Sequence, residues 1–198
     1  MKQIDFENGT ITQNIFMAAI PMLVAQVLSL LYNIVDRIYI ARIPGVGTTA
    51  LGAVGLCFPV IMIITAFSNL FGSGGAPLFS IERGRGNLEN AGRILNTSFS
   101  MLALASIVLT LAGLIFARPI LTLFGASADA LTYAYQYLMI YLLGTFPSMI
   151  STGMNPFINA QGYATTGMLS VALGAVANLI LDPVFIFVMG DRKSTRLN

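Results

Sequence analysis

The chain has 198 residues, 56% of them hydrophobic and only 9% charged, with a mean hydropathy of +0.81. A soluble domain carries about 25% charged residues, so this composition excludes one and points to an integral membrane protein. The formal net charge of +2, with its basic residues scattered, gives no nucleic-acid-binding surface.

Apolar runs at 15–35, 51–71, 95–116, 131–154 and 168–189 each approach the ~20 residues needed to cross the hydrocarbon core as a helix. They are continuous rather than alternating, which predicts helices and not an outer-membrane barrel. The first run is read as an uncleaved span. Lys2 is followed by Asp5 and Glu7, the run is too long for a signal peptide, and no small-residue cleavage site follows. With the N-terminus in the cytoplasm, Lys2, Arg83, Arg85 and Arg93 lie inside and Arg37, Arg42 and Arg118 outside, a small bias toward that orientation.

The single cysteine, Cys57, lies in an apolar run, so the sequence offers neither a disulfide framework nor a thiolate metal centre. With no histidine, a proton carrier within the spans has to be a carboxylate or, less readily, a tyrosine.

Polar residues inside the spans locate the chemistry. Asp36 sits at the far end of the first run and Asp182 within the last. A carboxylate in such a place costs on the order of 2.5–3.5 kcal/mol by insertion scales and calls for a partner or a wet cavity. On a helix, Gln26, Ser29, Asn33 and Asp36 share an arc of about 80°. Tyr137, Tyr141, Gly144, Ser148, Ser151 and Asn155 share a similar arc in the fourth run, and Ser170, Gly174, Asn178 and Asp182 follow one another at intervals of four in the fifth. Small residues in such rows serve close helix packing. The acids and amides predict a hydrated, acidic cavity. Tyr137 and Tyr141 suit either that cavity or the membrane interface.

Pro21, Pro59, Pro147, Pro156 and Pro183 mark bends, and Pro183 frees the carbonyl of Leu179 beside Asn178. Gly72-Ser73-Gly74-Gly75 lacks the Gly-Lys-Ser/Thr ending of a phosphate loop and is expected at a helix end. Arg83-Gly84-Arg85-Gly86 reads as a cytoplasmic turn, its arginines toward anionic headgroups, with Asn87 capping the next helix. After 190 the chain changes abruptly to a polar segment. Residues 191–198 are read as foreign or frame-lost sequence, leaving 1–190 as the native membrane part.

Pro21, Tyr32-Asn33-Ile34-Val35-Asp36, Gly72-Ser73-Gly74-Gly75-Ala76-Pro77 leading to Arg83-Gly84, Phe124-Gly125-Ala126-Ser127 and Asn178-Leu179-Ile180-Leu181-Asp182-Pro183-Val184-Phe185 occur in this order. Together they resemble the N-terminal half of multidrug and toxic compound extrusion (MATE) transporters over about residues 10–190. The resemblance implies an all-α polytopic membrane helix bundle supplying five helices of a six-helix N-terminal lobe, the C-terminal lobe lying outside this sequence. It implies a secondary active multidrug exporter, not an enzyme, in the inner (plasma) membrane. Such a protein antiports small organic, often cationic, compounds against Na⁺ or H⁺ and needs no further cofactor. By resemblance, Asp36, Asn178 and Asp182 couple the ion and form a candidate Na⁺ site, with Tyr137 and Asn155 completing the cavity; the polar rows add Gln26, Asn33 and Tyr141 as candidate cavity residues.

Three other readings compete. A lipid-linked oligosaccharide flippase or polysaccharide exporter of the same superfamily would place basic residues in the cavity, where this chain has acids. An intramembrane aspartyl protease would pair two carboxylates to activate water, but Val35-Asp36 and Leu181-Asp182 are not the expected contexts. Alone, five helices are expected to be a non-functional fragment.

Overall fold

The computed structural model describes Ile4, residues 10–43 and residues 45–183, except for the side chains of 178 and 181–183. The described residues form six α-helices and no strand: α1 Ile11–Ala41, α2 Gly47–Gly84, α3 Leu88–Leu123, α4 Ala128–Leu143, α5 Thr145–Ala160 and α6 Ala164–Pro183. The all-helical expectation holds. The tail 191–198 lies outside the described residues.

Helices α1, α2 and α3, of 31, 38 and 36 residues, are long and apolar enough to cross a membrane. At 1.5 Å per residue they run roughly 45–57 Å, well beyond the ~30 Å hydrocarbon core, so their ends reach the headgroup layers. The run at 131–154 is not one uninterrupted helix. It divides into α4 and α5, of 16 residues each, at Gly144. Pro147 has no N–H for the carbonyl of Leu143, and its ring crowds the preceding turn. Hydrogen bonding resumes at once: the Gly144 N–H donates to the Tyr141 carbonyl (3.0 Å) and the Ser148 N–H to the Gly144 carbonyl (3.1 Å). The result is a broken rod whose two parts stay hydrogen-bonded across the bend.

The turns follow local chemistry. At the end of α2, Gly86 adopts φ +76°, a left-handed conformation that a Cβ disfavours. Its N–H bonds to the Arg83 carbonyl (3.0 Å), and the Asn87 N–H to that of Glu82 (2.9 Å). The Asn87 Oδ1 then accepts from the Asn90 N–H at 3.2 Å, the cap expected from the sequence. Gly125, at φ +83°, ends α3 in the same way, and Ser127 caps α4.

The helices sort into two compact units. One holds α1, the first residues of α2 up to Gly52, and α6; the other is Ala53–Tyr163. In the first, α1 and α6 pack along each other. In the second, α3 packs on both α4 and α5, around a core that includes Cys57 and Ile64 of α2, Leu102 and Leu121 of α3, Leu138 and Leu142 of α4 and Met149 of α5. A smaller cluster joins Ala76 and Phe79 of α2 to Ala91 and Phe157, with the two phenylalanine rings edge to face at 5.6 Å.

The glycine run departs from expectation. Gly72-Ser73-Gly74-Gly75 lies inside α2, not at its end. Gly72 lies against the backbone of Gly153 in α5, and Gly75 against the Ser98 hydroxyl and the Phe157 ring. In lipid, helices associate by close packing, so the gain in contact outweighs glycine's poor helix propensity.

Candidate functional site

In the first unit, α1 carries Gln26, Asn33 and Asp36. Gln26 and Asn33 are exposed and Asp36 is half-buried. The Asn33 side chain folds back on its own helix, its Nδ2 donating to the Ser29 carbonyl at 2.7 Å, which leaves its Oδ1 facing outward as an acceptor. The packing of α1 along α6 brings the helix of Asp36 beside the helix that carries Asn178 and Asp182. The side chains of Asn178 and Asp182 lie outside the described residues, and so does the candidate Na⁺ set they would complete. Within α6, Ser170 and Gly174 of the predicted polar row are exposed, while Gly167 and Ala175 are buried. Ser170 and Gly174 therefore lie on an open side of the helix.

The second unit holds the other predicted residues. Tyr137 and Tyr141, one turn apart on α4, are half-buried with rings stacked at 6.3 Å and 25°. Beyond the break at Gly144, Ser148 and Ser151 are exposed and Asn155 is half-buried, so the stripe continues from α4 into α5. Tyr135 belongs elsewhere. The Arg118 guanidinium sits 4.8 Å above its ring, the combination that suits a membrane interface.

One polar residue escaped the sequence reading. Asn159 lies one turn beyond Asn155 and donates from Nδ2 to the Asn155 Oδ1 at 3.1 Å. Its own Oδ1 is buried and has no hydrogen-bond partner among the described residues. The signal was present in the spacing of four from Asn155, and the stripe should have been extended by a turn.

The arrangement offers acidic and amide oxygens on membrane helices, with stacked phenol rings on one of them. Such groups suit hard cations and organic cations. The MatE family model matches residues 21–184, most of the chain. The chain belongs to the MatE family. The multidrug export protein MepA of Staphylococcus haemolyticus is 26% identical over 182 residues, a stretch covering 92% of this chain and 40% of that protein. A FAD transporter of Shewanella oneidensis is 27% identical over 172 residues, covering 87% and 37% respectively. A crystal structure of a MATE protein in complex with MaD3S superposes with a TM-score of 0.88 at 27% identity, over 96% of this chain and 42% of the other. This MatE chain thus spans about 40% of the length of the relatives it matches, and those relatives are transporters, not enzymes.

Proposed function

We propose that this chain forms the N-terminal lobe of a secondary active exporter that moves small organic compounds, often cationic, out of the cell against an inward flow of Na⁺ or H⁺. The supporting observation is the packing of α1, which carries Asp36, along α6, which carries Asn178 and Asp182. Two carboxylates on neighbouring membrane helices repel each other, and the little water of a cavity between helices screens them only weakly. A Na⁺ ion held by carboxylate and amide oxygens, or a proton on one carboxylate, removes that repulsion. The helices then repack, and the affinity for substrate changes between inward- and outward-open states.

Gln26 and Asn33 on α1, and Tyr137, Tyr141 and Asn155 on α4 and α5, act as substrate contacts in this reading. The C-terminal lobe is the obligatory partner, and the protein resides in the plasma membrane with its N-terminus in the cytoplasm. Residues 1–190 belong to that lobe and residues 191–198 do not.

The test uses the intact transporter reconstituted in proteoliposomes. A Na⁺ gradient and a pH gradient are imposed separately, with a fluorescent organic cation and FAD as alternative cargoes. Asp36→Asn and Asp182→Asn are each expected to abolish gradient-driven flux of the cation while leaving the elution profile of the protein unchanged. Undiminished flux in both variants sinks the coupling assignment, and gradient-driven flux of FAD but not of the cation sinks the cargo assignment.

A further inference from the structure

The end of the α2–α3 hairpin carries an open, shallow pocket that the transport reading does not use. It has a volume of about 520 Å³ and is lined by Leu78, Ile81, Glu82 and Arg85 on the α2 side and by Asn90, Arg93 and Ile94 on the α3 side. From the structure we infer that this pocket binds an anionic phospholipid, its phosphate between Arg85 and Arg93 and an acyl chain along Leu78, Ile81 and Ile94.

The two arginines are held rather than consumed. Arg85 uses Nη1 to reach the Glu82 Oε1 at 2.9 Å, and Arg93 uses Nη2 to reach the Glu89 Oε1 at 2.7 Å. Both arginine side chains remain more than 70% exposed. A guanidinium has five N–H donors in a rigid fork, so each keeps donors for a phosphate oxygen after its contact with a glutamate. Glu82 is the recessed member, with a side chain only 18% exposed, and it also accepts from the Asn90 Nδ2 at 3.4 Å. Its carboxylate thus holds the Arg85 guanidinium at the pocket wall, and its own charge there is offset by that arginine.

Charge and position select the ligand. Between residues 82 and 93 there are three arginines against two glutamates, a net positive end to the hairpin. Leu78 and Ile81 are 57% and 50% exposed immediately beside these arginines. Aliphatic side chains bordering guanidiniums at the end of a membrane helix mark the depth at which acyl chain gives way to headgroup. A soluble anion would use the arginines and leave the aliphatic wall bare; a zwitterionic lipid would bring a cation toward a net positive rim. An anionic phospholipid matches both features.

Native mass spectrometry of the full chain in detergent, titrated with phosphatidylglycerol and with phosphatidylcholine of the same acyl chains, tests this. Phosphatidylglycerol should bind roughly tenfold or more tightly than phosphatidylcholine. Arg85→Gln with Arg93→Gln should abolish the difference, and Arg85→Lys with Arg93→Lys should weaken it in part, because lysine keeps the charge without the fork. Arg118→Gln, near the opposite end of α3 and outside the pocket lining, should leave it intact. Inorganic phosphate should not displace the lipid. Equal binding of the two lipids, equal loss in the Arg118 variant, unchanged binding in the paired glutamine variant despite a normal melting temperature, or full displacement by inorganic phosphate would each overturn the assignment.

Discussion

Gly72 of α2 and Gly153 of α5 meet backbone to backbone: a Cβ on Gly72 would lie 2.8 Å from the Cα of Gly153. No side-chain rotation relieves such an overlap, so the two helices have to separate. A Cβ on Gly153 meets instead the Leu102 side chain, 2.7 Å from Cδ2, and one on Gly74 meets nothing within 4 Å. Gly72→Ala is therefore expected to cost about 1–3 kcal/mol, and Gly153→Ala less, because Leu102 can turn. Gly74→Ala should be neutral or stabilising by up to ~1 kcal/mol through helix propensity. Thermal unfolding in detergent should rank the three in that order; equal melting temperatures for Gly72→Ala and Gly74→Ala would show that the crossing is looser than it looks.

A second contact ties α3 to α4. The Thr110 hydroxyl donates to the Leu142 carbonyl at 3.3 Å, two residues before the break at Gly144. Thr110→Val removes the donor and keeps the shape. Hydrogen bonds between membrane helices average about 0.6 kcal/mol and reach ~1.7, so the loss should fall in that range. Unfolding of the variant in mixed micelles measures it, and a stabilised variant would mean that the hydroxyl adds nothing at this site.

The first three membrane spans were readable because hydropathy acts over about twenty residues and averages away local detail. Asn87 and its turn were readable because capping depends on a few adjacent residues. The break at Gly144 was hidden: Pro147 signals a bend, but whether a helix curves or divides there depends on its packing partners. The role of Gly72 was hidden for the same reason, since its packing partner Gly153 lies 81 residues away in the chain. The polar stripes on α1 and α5 were visible as periodicity, and Asn159 was missed only because the stripe was cut a turn short.

The α2–α3 turn offers a sharper test of local coding. Gly86→Ala places a Cβ on a residue at φ +76°, and Asn87→Ala deletes the side chain that accepts from Asn90 N–H. Each change should cost about 1 kcal/mol, by backbone strain in one case and by an uncapped donor in the other. They act on the same turn, so the double variant should cost less than the sum of the two. Strict additivity in denaturant titrations would separate the cap from the glycine turn.

Pro147 should be dispensable for stability. The Ser148 N–H already bonds to the Gly144 carbonyl, and Thr145 and Met149 are packed in the core on either side of Pro147. With Pro147→Ala, the new N–H finds the Leu143 carbonyl one turn back and removes a ring clash. The expected outcome is a melting temperature at or above that of the parent, with slow hydrogen exchange at the new amide. A marked destabilisation would show instead that the core requires the bend.

In the proposed transport reading, Asn155 and Asn159 allow substrate contact to be separated from ion coupling. The Asn155 Oδ1 accepts from the Asn159 Nδ2, a contact that helps hold the Asn155 amide in one orientation. Asn155→Ala removes the amide; Asn159→Ala removes only a group that orients it. In the intact transporter, Asn155→Ala should raise KM for an organic cargo roughly fivefold, the equivalent of about 1 kcal/mol for a lost hydrogen bond, with the maximal rate preserved. Asn159→Ala should raise it less, because a free amide still finds the productive orientation part of the time. Neither should change the dependence on the driving ion, which this mechanism assigns to Asp36 and Asp182. A fall in maximal rate with KM unchanged would move Asn155 from the substrate to the coupling machinery.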